Sequence, residues 1–278
     1  MNVTTDSWIL GTRLKRLRTG LNLTAAAVAS EYLGSSESKL YAVEGGYRTL
    51  NKAELSGLVT MAYRRPDLAD EMETIREQVE ENRGKPSNKL SSGLVTSESG
   101  VSMYVELEAK AAHIVDVHVD IVPGYFQTDT YSMTQHRLAG NSGEMSQTFT
   151  DIRMDRQRRI ASGNQTIDSL ITEGTLDRAA YSEGQLDTLA EWARADHVTL
   201  RVLPNNAGPH IVLASFVVLQ FSMDLPDVLH TDTLTGSTMI DDDDEVAQSL
   251  VHRERLVEMA LDTEDSLTMI RQKAAMHG

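Results

Sequence analysis

The sequence contains no cysteine, which excludes a disulfide framework and any thiolate site. No apolar run reaches membrane-spanning length, and the first residues, Met1 to Ser7, are polar and lack the apolar segment of a signal peptide. These absences predict a soluble, cytoplasmic protein with no membrane partner. A phosphate-binding glycine loop, a nucleophile elbow and a zinc-protease signature are also missing. The chain is therefore expected not to be an enzyme, and no catalytic residue, metal or cofactor is predicted. Positive charge is scarce, with 26 Lys and Arg against 41 Asp and Glu and a net charge of −15.

The deficit is uneven. Residues 1–65 carry nine Lys/Arg and five Asp/Glu, whereas residues 66–278 carry seventeen against thirty-six. The small basic part can approach phosphates. The acidic remainder is repelled by nucleic acid, which discourages non-specific binding through the wrong face. A length of 278 residues is comfortable for two domains.

Leu10, Leu14, Leu17 and Leu21 recur at helical spacing, with Arg13, Lys15, Arg16 and Arg18 between them. Thr24 is an N-cap for an alanine-rich helix with Val28, Ala29 and Tyr32 facing inward. Gly34 ends that helix, and Ser35 or Ser36 caps a third, on which Leu40 and Val43 point to the core. Asn51 and Glu54 form a capping box for a further helix with Leu55, Leu58, Val59 and Ala62 inside.

This layout resembles the helix-turn-helix of the phage-repressor or xenobiotic-response-element (XRE) type over roughly residues 8–65. The segment from Leu33 through Ser36, Ser38, Lys39, Leu40, Val43, Glu44 and Gly46 to Arg48-Thr49 carries the resemblance. It implies that the helix after the turn enters the major groove of double-stranded DNA. The residues implied to face bases are Ser36, Glu37, Ser38 and Ala42, with Tyr41 outward among them and Lys39 and Arg48 near phosphates. Arg18 and Glu44 occupy positions that pair internally. The chain departs from the pattern at Ala25 and Ala42, where relatives carry polar side chains able to hold a phosphate or a base edge.

Residues 66–84 read as an acidic amphipathic helix with Leu68, Met72, Ile75 and Val79 as its stripe. The turn formers of Gly84 to Gly93 then mark a boundary. The predicted organisation is a helix-turn-helix domain over 1–65, a helical and flexible linker over 66–100 and an effector- or partner-binding domain over 101–278. Within the last, helices are expected at Met103–Ala112, Tyr125–Gly140, Phe149–Ser162, Glu183–Ala195, Glu245–Ala260 and Thr263–Met276. Strands are expected at Ile114–Val122, Thr166–Glu173, Val198–Leu203, His210–Phe221 and Val228–Thr233. The fold class is α+β, an all-α five-helix-type N-terminal domain followed by a mixed α/β domain with a small sheet.

Across the rest of the chain the sequence resembles actinobacterial helix-turn-helix regulators that carry a C-terminal domain of unknown function. The most distinctive element is Val122-Pro123-Gly124-Tyr125-Phe126-Gln127-Thr128. Tyr104, Arg153, Arg156-Gln157, Val202-Leu203-Pro204 and His210 add to it. The resemblance implies a transcriptional regulator; some members look like antitoxins paired with a very small neighbour-encoded protein. Tyr104, Tyr125, Gln127, Arg156, Gln157 and His210 are polar groups at family positions that could line an effector or partner pocket. The competing role is architectural, with Pro123-Gly124 as a turn, Gln127-Thr128 as its cap and Arg156 satisfying a buried carboxylate. Asp116, His118 and Asp120 alternate along one strand and could hold a metal, but a solvated strand face is the expectation. The run Asp241 to Glu245 lacks the spacing of a calcium loop and is expected to charge a helix N-terminus.

Two functions are consistent with these features. One is a homodimeric, sequence-specific repressor-type regulator that senses a small effector or protein. The other is an antitoxin-like protein that sequesters a small neighbour-encoded protein, with autoregulatory DNA binding.

Overall fold

The computed structural model describes residues 3–82, 103–212, 214–222, 225–233 and 236–277. The chain divides into two compact units, with the division between Asn82 and Met103. The predicted boundary segment, 84–93, lies outside the described residues.

The first unit is helical. Thr4 caps α1 (Thr5–Gly20) in a box with Ser7, so the helix begins earlier than its leucine stripe suggests. Leu10 and Leu14 are buried, Leu17 is partly buried against the same core, and Leu21 is 46% exposed. The α2 helix (Ala25–Leu33) starts on Thr24, which accepts a hydrogen bond from the Ala27 N–H. It ends at Gly34, whose φ of 53° is left-handed and suits a residue without a β-carbon. A short turn leads to α3 (Glu37–Glu44), with Leu40 and Val43 in the core. Tyr32, expected inside, is 38% exposed.

The two faces that hold α3 against α1 meet at Gly11. A β-carbon there would lie 2.4 Å from the Val43 carbonyl oxygen and 2.6 Å from that of Glu44. Backbone cannot rotate away as a side chain can, so Gly11→Ala is expected to destabilise the first unit by about 1–3 kcal/mol, the usual range for overpacking. Urea denaturation checks this, and a wild-type midpoint would contradict the close helix contact.

The Asn51–Glu54 capping box opens α4 (Lys52–Gly57). The chain then widens into a π-helical turn, Leu58–Ala62, closed by Tyr63 N–H donating to the Leu58 carbonyl at 2.8 Å. After a 3-10 turn at Pro66–Leu68 comes α5 (Ala69–Glu81), with Met72 and Val79 buried. This acidic helix, predicted as part of a linker, belongs to the first unit. Met72 joins its core, with Leu68 and Ile75 packed against it. Buried Arg13 on α1 grips Glu71 on α5 with two hydrogen bonds of 2.6 and 3.0 Å.

The second unit has a six-stranded sheet in the order β3-β2-β1-β4-β5-β6. The strands are β1 (His113–His118), β2 (Thr166–Thr172), β3 (Val198–Leu203), β4 (Phe216–Gln220), β5 (Val228–Thr233) and β6 (Gly236–Ile240). The β1–β2 and β2–β3 pairs are parallel, and β1–β4, β4–β5 and β5–β6 are antiparallel. Helices α6 (Met103–Glu108), α7 (Asp129–Leu138), α8 (Gly143–Ala161), α9 (Glu173–Ala179), α10 (Gln185–Trp192), α11 (Asp243–Val257) and α12 (Thr263–His277) surround it. The class is α+β, as predicted, with a larger sheet than expected.

Several boundaries differ for local reasons. The single helix predicted over Tyr125–Gly140 is interrupted. Gly124–Phe126 form a 3-10 turn, Gln127 is extended, and Thr128 caps α7 by accepting from Tyr131. The strand predicted over His210–Phe221 is confined to β4, and residues 210–212 lie in the loop that follows Gly208 at φ 94°. The α9 helix and the β6 strand were not predicted. Asp242 caps α11, and Asp243, Asp244 and Glu245 fill its first turn, where negative charge favours the helix dipole. Among the described residues no helix is long and apolar enough to cross a membrane.

Alternation along β1 divides the sheet faces. Val115 and Val117 point into apolar clusters that reach Val246 and Leu256 of α11. On the other face Asp116 is fully buried.

Candidate functional site

In the first unit, α3 presents Ser36, Glu37 and Ser38 to solvent, with Tyr41 55% exposed. Ser36 is the N-cap residue, but its side chain makes no cap hydrogen bond. Ala42 is half-buried, and Arg48 beyond the helix is exposed. Tyr47, 62% exposed, extends the aromatic surface and was not singled out from the sequence. Lys39, expected near phosphates, is instead held by Glu54 and is only 14% exposed. The pair lowers the Glu54 carboxyl below its usual value, chiefly through the hydrogen bond from Lys39. Arg18 is also internal: its Nε and Nη2 donate to Glu44 at 2.6 and 3.0 Å, and its Nη1 donates to the Leu23 carbonyl at 2.9 Å. These ion pairs build the domain, while the exposed surface of α3 carries hydroxyls, one carboxylate and an aromatic ring.

In the second unit, four of the six predicted effector residues are buried. Tyr104 of α6, Tyr125 of the 3-10 turn and Arg156 of α8 come together. The Arg156 guanidinium carbon stands 5.5 Å from the Tyr104 ring centre and 5.9 Å from that of Tyr125. Its Nε donates to both oxygens of Glu108 at 3.0 and 3.1 Å, and its Nη2 also donates to Glu108. Glu108 is fully buried and accepts a further bond of 2.7 Å from Arg159. Burial opposes the Arg156 charge, but Glu108 holds its pKa above the usual arginine value. Arg156 thus satisfies a buried carboxylate, the architectural role weighed from the sequence. Gln127 donates to the Val122 carbonyl at 2.6 Å, and Gln157 donates to the Gln127 carbonyl, so both brace the turn. His210 lies apart on an exposed loop, with Nδ1 2.8 Å from the Gly208 carbonyl.

The strand face of Asp116 and His118 is not solvated. Tyr125 donates to one Asp116 oxygen and Ser169 of β2 to the other, the latter at 2.7 Å. Burial pushes this carboxyl up to about 7, against the pull of those two hydrogen bonds. Burial, Arg153, Arg156 and His230 together push His118 down to about 3. His230 of β5 stacks on Tyr104 at 4.1 Å and is also pushed to about 3, by burial first and then by Arg156. Asp120 is exposed and pairs with Arg178 at 2.9 Å. Among the described residues no cluster of three or more His, Asp or Glu side chains could hold a metal ion.

Sequence reasoning missed the burial of Glu108, Asp116 and His230, and the position of Arg153. The i, i+3 spacing of Arg153 and Arg156, which puts both on one helix face, was the available signal. It also missed an open groove of about 410 Å³ between α11 and the β4–β5 strands, with Val212, Phe216 and Leu229 on its apolar side and Glu245, Gln248 and His252 among its polar lining.

No curated protein matches the chain. Among solved structures, the archaeal chromatin protein TrmBL2, described as showing a novel mode of DNA binding, is similar at 13% identity. It covers 91% of this chain and 100% of its own, with a TM-score of 0.32, a likeness too slight to bear on either fold or function. A family model described as a domain of unknown function, DUF5753, matches residues 101–272. With Tyr104, the Val122–Thr128 element, Arg153, Arg156 and the whole sheet inside that match, the chain belongs to the DUF5753 family.

Proposed function

We propose that the chain is a DNA-binding regulator of the XRE helix-turn-helix type. Its α3 helix enters the major groove, and its C-terminal unit senses a ligand. The observation that carries this reading is the division of α3: Leu40 and Val43 are buried, while Ser36, Glu37, Ser38 and Tyr41 stay in solvent. A groove-entering helix needs its inner face anchored and its N-terminal residues free for base edges. Arg48 is the phosphate contact next to α3. One such helix makes few contacts, so the protein acts as a cytoplasmic homodimer on half-sites about 34 Å apart, repressing at its operator. No catalytic step belongs to this reading.

The test is selection from random double-stranded DNA followed by a salt titration. A spaced inverted repeat is the expected outcome. Arg48→Ala is expected to weaken binding to all sequences alike and to lower the salt slope by about 1. Tyr41→Ala is expected to relax discrimination at one position. If no sequence is enriched and Arg48→Ala leaves affinity and slope unchanged, the docking of α3 is wrong.

The apolar groove beside α11 favours a second reading, in which the chain chiefly sequesters a small neighbour-encoded protein. Co-purification with that neighbour, lost on Phe216→Asp, would support it; no co-purification would remove it.

A further inference from the structure

Arg153 is a buried cation with little to neutralise it. Only 8% of the residue is exposed, and its one hydrogen bond among the described residues runs from Nε to Nε2 of neutral His136 at 3.1 Å. Burial and the neighbouring Arg156 push it down to about 10, and the half-exposed Asp232 offsets only part of this. Its terminal nitrogens are not among the fully enclosed unpartnered atoms, so they stay open to a ligand, and two neighbouring cations favour an added negative charge.

The two guanidiniums converge on the most distinctive element of the sequence. A β-carbon at Gly124 would stand 2.6 Å from Nη1 of Arg153 and 3.1 Å from Nη1 of Arg156. Glycine lets both guanidiniums lie against the loop, and a β-carbon there would push the Arg153 guanidinium aside. Neither Nη1 has a hydrogen-bond acceptor among the described residues, since Arg156 uses Nε and Nη2 on Glu108. The buried Nε2 of His118 also has no partner. The cluster therefore holds three guanidiniums, of Arg153, Arg156 and Arg159, around one buried Glu108. Its second buried carboxyl, Asp116, is largely engaged by Tyr125 and Ser169.

We propose that Arg153 and Arg156, meeting at Gly124 beside His118, bind a small oxyanion, the carboxylate or phosphate group of the ligand sensed by the C-terminal unit. This rests on the ligand-sensing reading above. Guanidinium donors are well matched to such groups because planar N–H forks fit two oxygens at once. A bound anion also supplies the charge that Arg153 lacks.

The test is calorimetric titration of the full chain, without DNA, by inorganic phosphate and separately by acetate, at an ionic strength fixed with chloride. Saturable binding, weakened at least tenfold by R153M, is the expected result. Phosphate alone would mark a phosphorylated ligand, and acetate alone a carboxylate. R153M is also expected to raise the unfolding midpoint of the anion-free protein, the reverse of losing a structural arginine. If R153M does not fold, R153K takes its place, retaining the charge without the fork, with the same tenfold weakening expected. Absence of saturable binding by both anions, or equal binding by wild type and variant, overturns the proposal. DNA affinity measured with and without the anion separates the two readings. An anion that binds and leaves DNA affinity unchanged removes ligand sensing and keeps the site; DNA binding without anion binding removes the site alone.

Discussion

Lowering the pH from 7 to 5 is expected to destabilise the C-terminal unit by roughly 3–4 kcal/mol while leaving the N-terminal unit nearly unchanged. Three histidines drive this: His136 and His230 are buried, and half-buried His118 has its Nε2 enclosed. His118 and His230 are pushed down to about 3 as described, and His136 also falls to about 3 through burial and Arg153. In the unfolded chain each takes up a proton near pH 6.5, so below that pH the unfolded state binds more protons and stability falls. Asp116 acts the other way. Its folded value of about 7 keeps a proton that the unfolded chain has lost, so acidification from 7 towards 4 relieves a cost. Three uptakes against one leave a net of about two protons between pH 6 and 5, or roughly 2–3 kcal/mol per pH unit. Summed from pH 7 to 5 the loss is a large share of the ~5–15 kcal/mol that holds a domain folded, so the urea midpoint should fall clearly. All eight histidines of the sequence lie at or beyond His113, so the N-terminal unit serves as an internal control. Urea titrations at pH 7, 6 and 5, following Trp192 fluorescence for the C-terminal unit and Trp8 for the N-terminal one, make the measurement. An unchanged Trp192 midpoint would show that the histidines are not buried neutral.

Arg156→Ala is expected to lose about 3–5 kcal/mol, the cost of breaking a buried ion pair and stranding its partner. Glu108 is fully buried, and among the described residues its remaining cation without Arg156 is Arg159, whose side chain is 32% exposed. The substitution also removes the guanidinium that lies 5.5 Å from the Tyr104 ring and 5.9 Å from the Tyr125 ring. The folded-to-unfolded ratio should fall by at least a hundredfold, since each 1.4 kcal/mol is about a factor of ten. Replacing both partners, Arg156→Met with Glu108→Leu, should recover part of the loss, because the fully buried carboxylate is no longer stranded and only the part-exposed Arg159 loses its partner. Denaturant midpoints of the two variants provide the check; equal midpoints for wild type and Arg156→Ala would rule out the pair as a structural contact.

What the sequence made legible was what neighbouring residues decide together. Thr24, Gly34 and the Asn51–Glu54 box announce helix ends because capping acts over three residues. The β3 and β5 strands were placed at their observed limits. Across longer separations the same cues fail. Lys39 and Glu54, or Arg13 and Glu71, look like exposed charges until the fold brings them together. Alternation in β1 put Asp116 and His118 on one face, but nothing local says that α6 and the Tyr125 turn will cover it. The DNA-facing residues were nameable because a single helix presents them. The core of the C-terminal unit was not, because its members come from α6, β1, β2, β5, α8 and the Val122–Thr128 element.

The π turn at Leu58–Ala62 gives the N-terminal unit an indexing role for one residue. Relative to an α-helix, such a turn accommodates one extra amino acid, and each residue rotates the downstream chain by about 100°. Removing one residue between Leu58 and Ala62 would leave a more regular helix but turn buried Tyr63 out of the core and shorten the path to Met72 and Glu71. Hydrophobic patterning on both sides would be unchanged, and the grip of Arg13 on Glu71 would still be lost. Length, rather than composition, is therefore the constrained quantity in this five-residue stretch, and insertions or deletions there are less tolerable than substitutions.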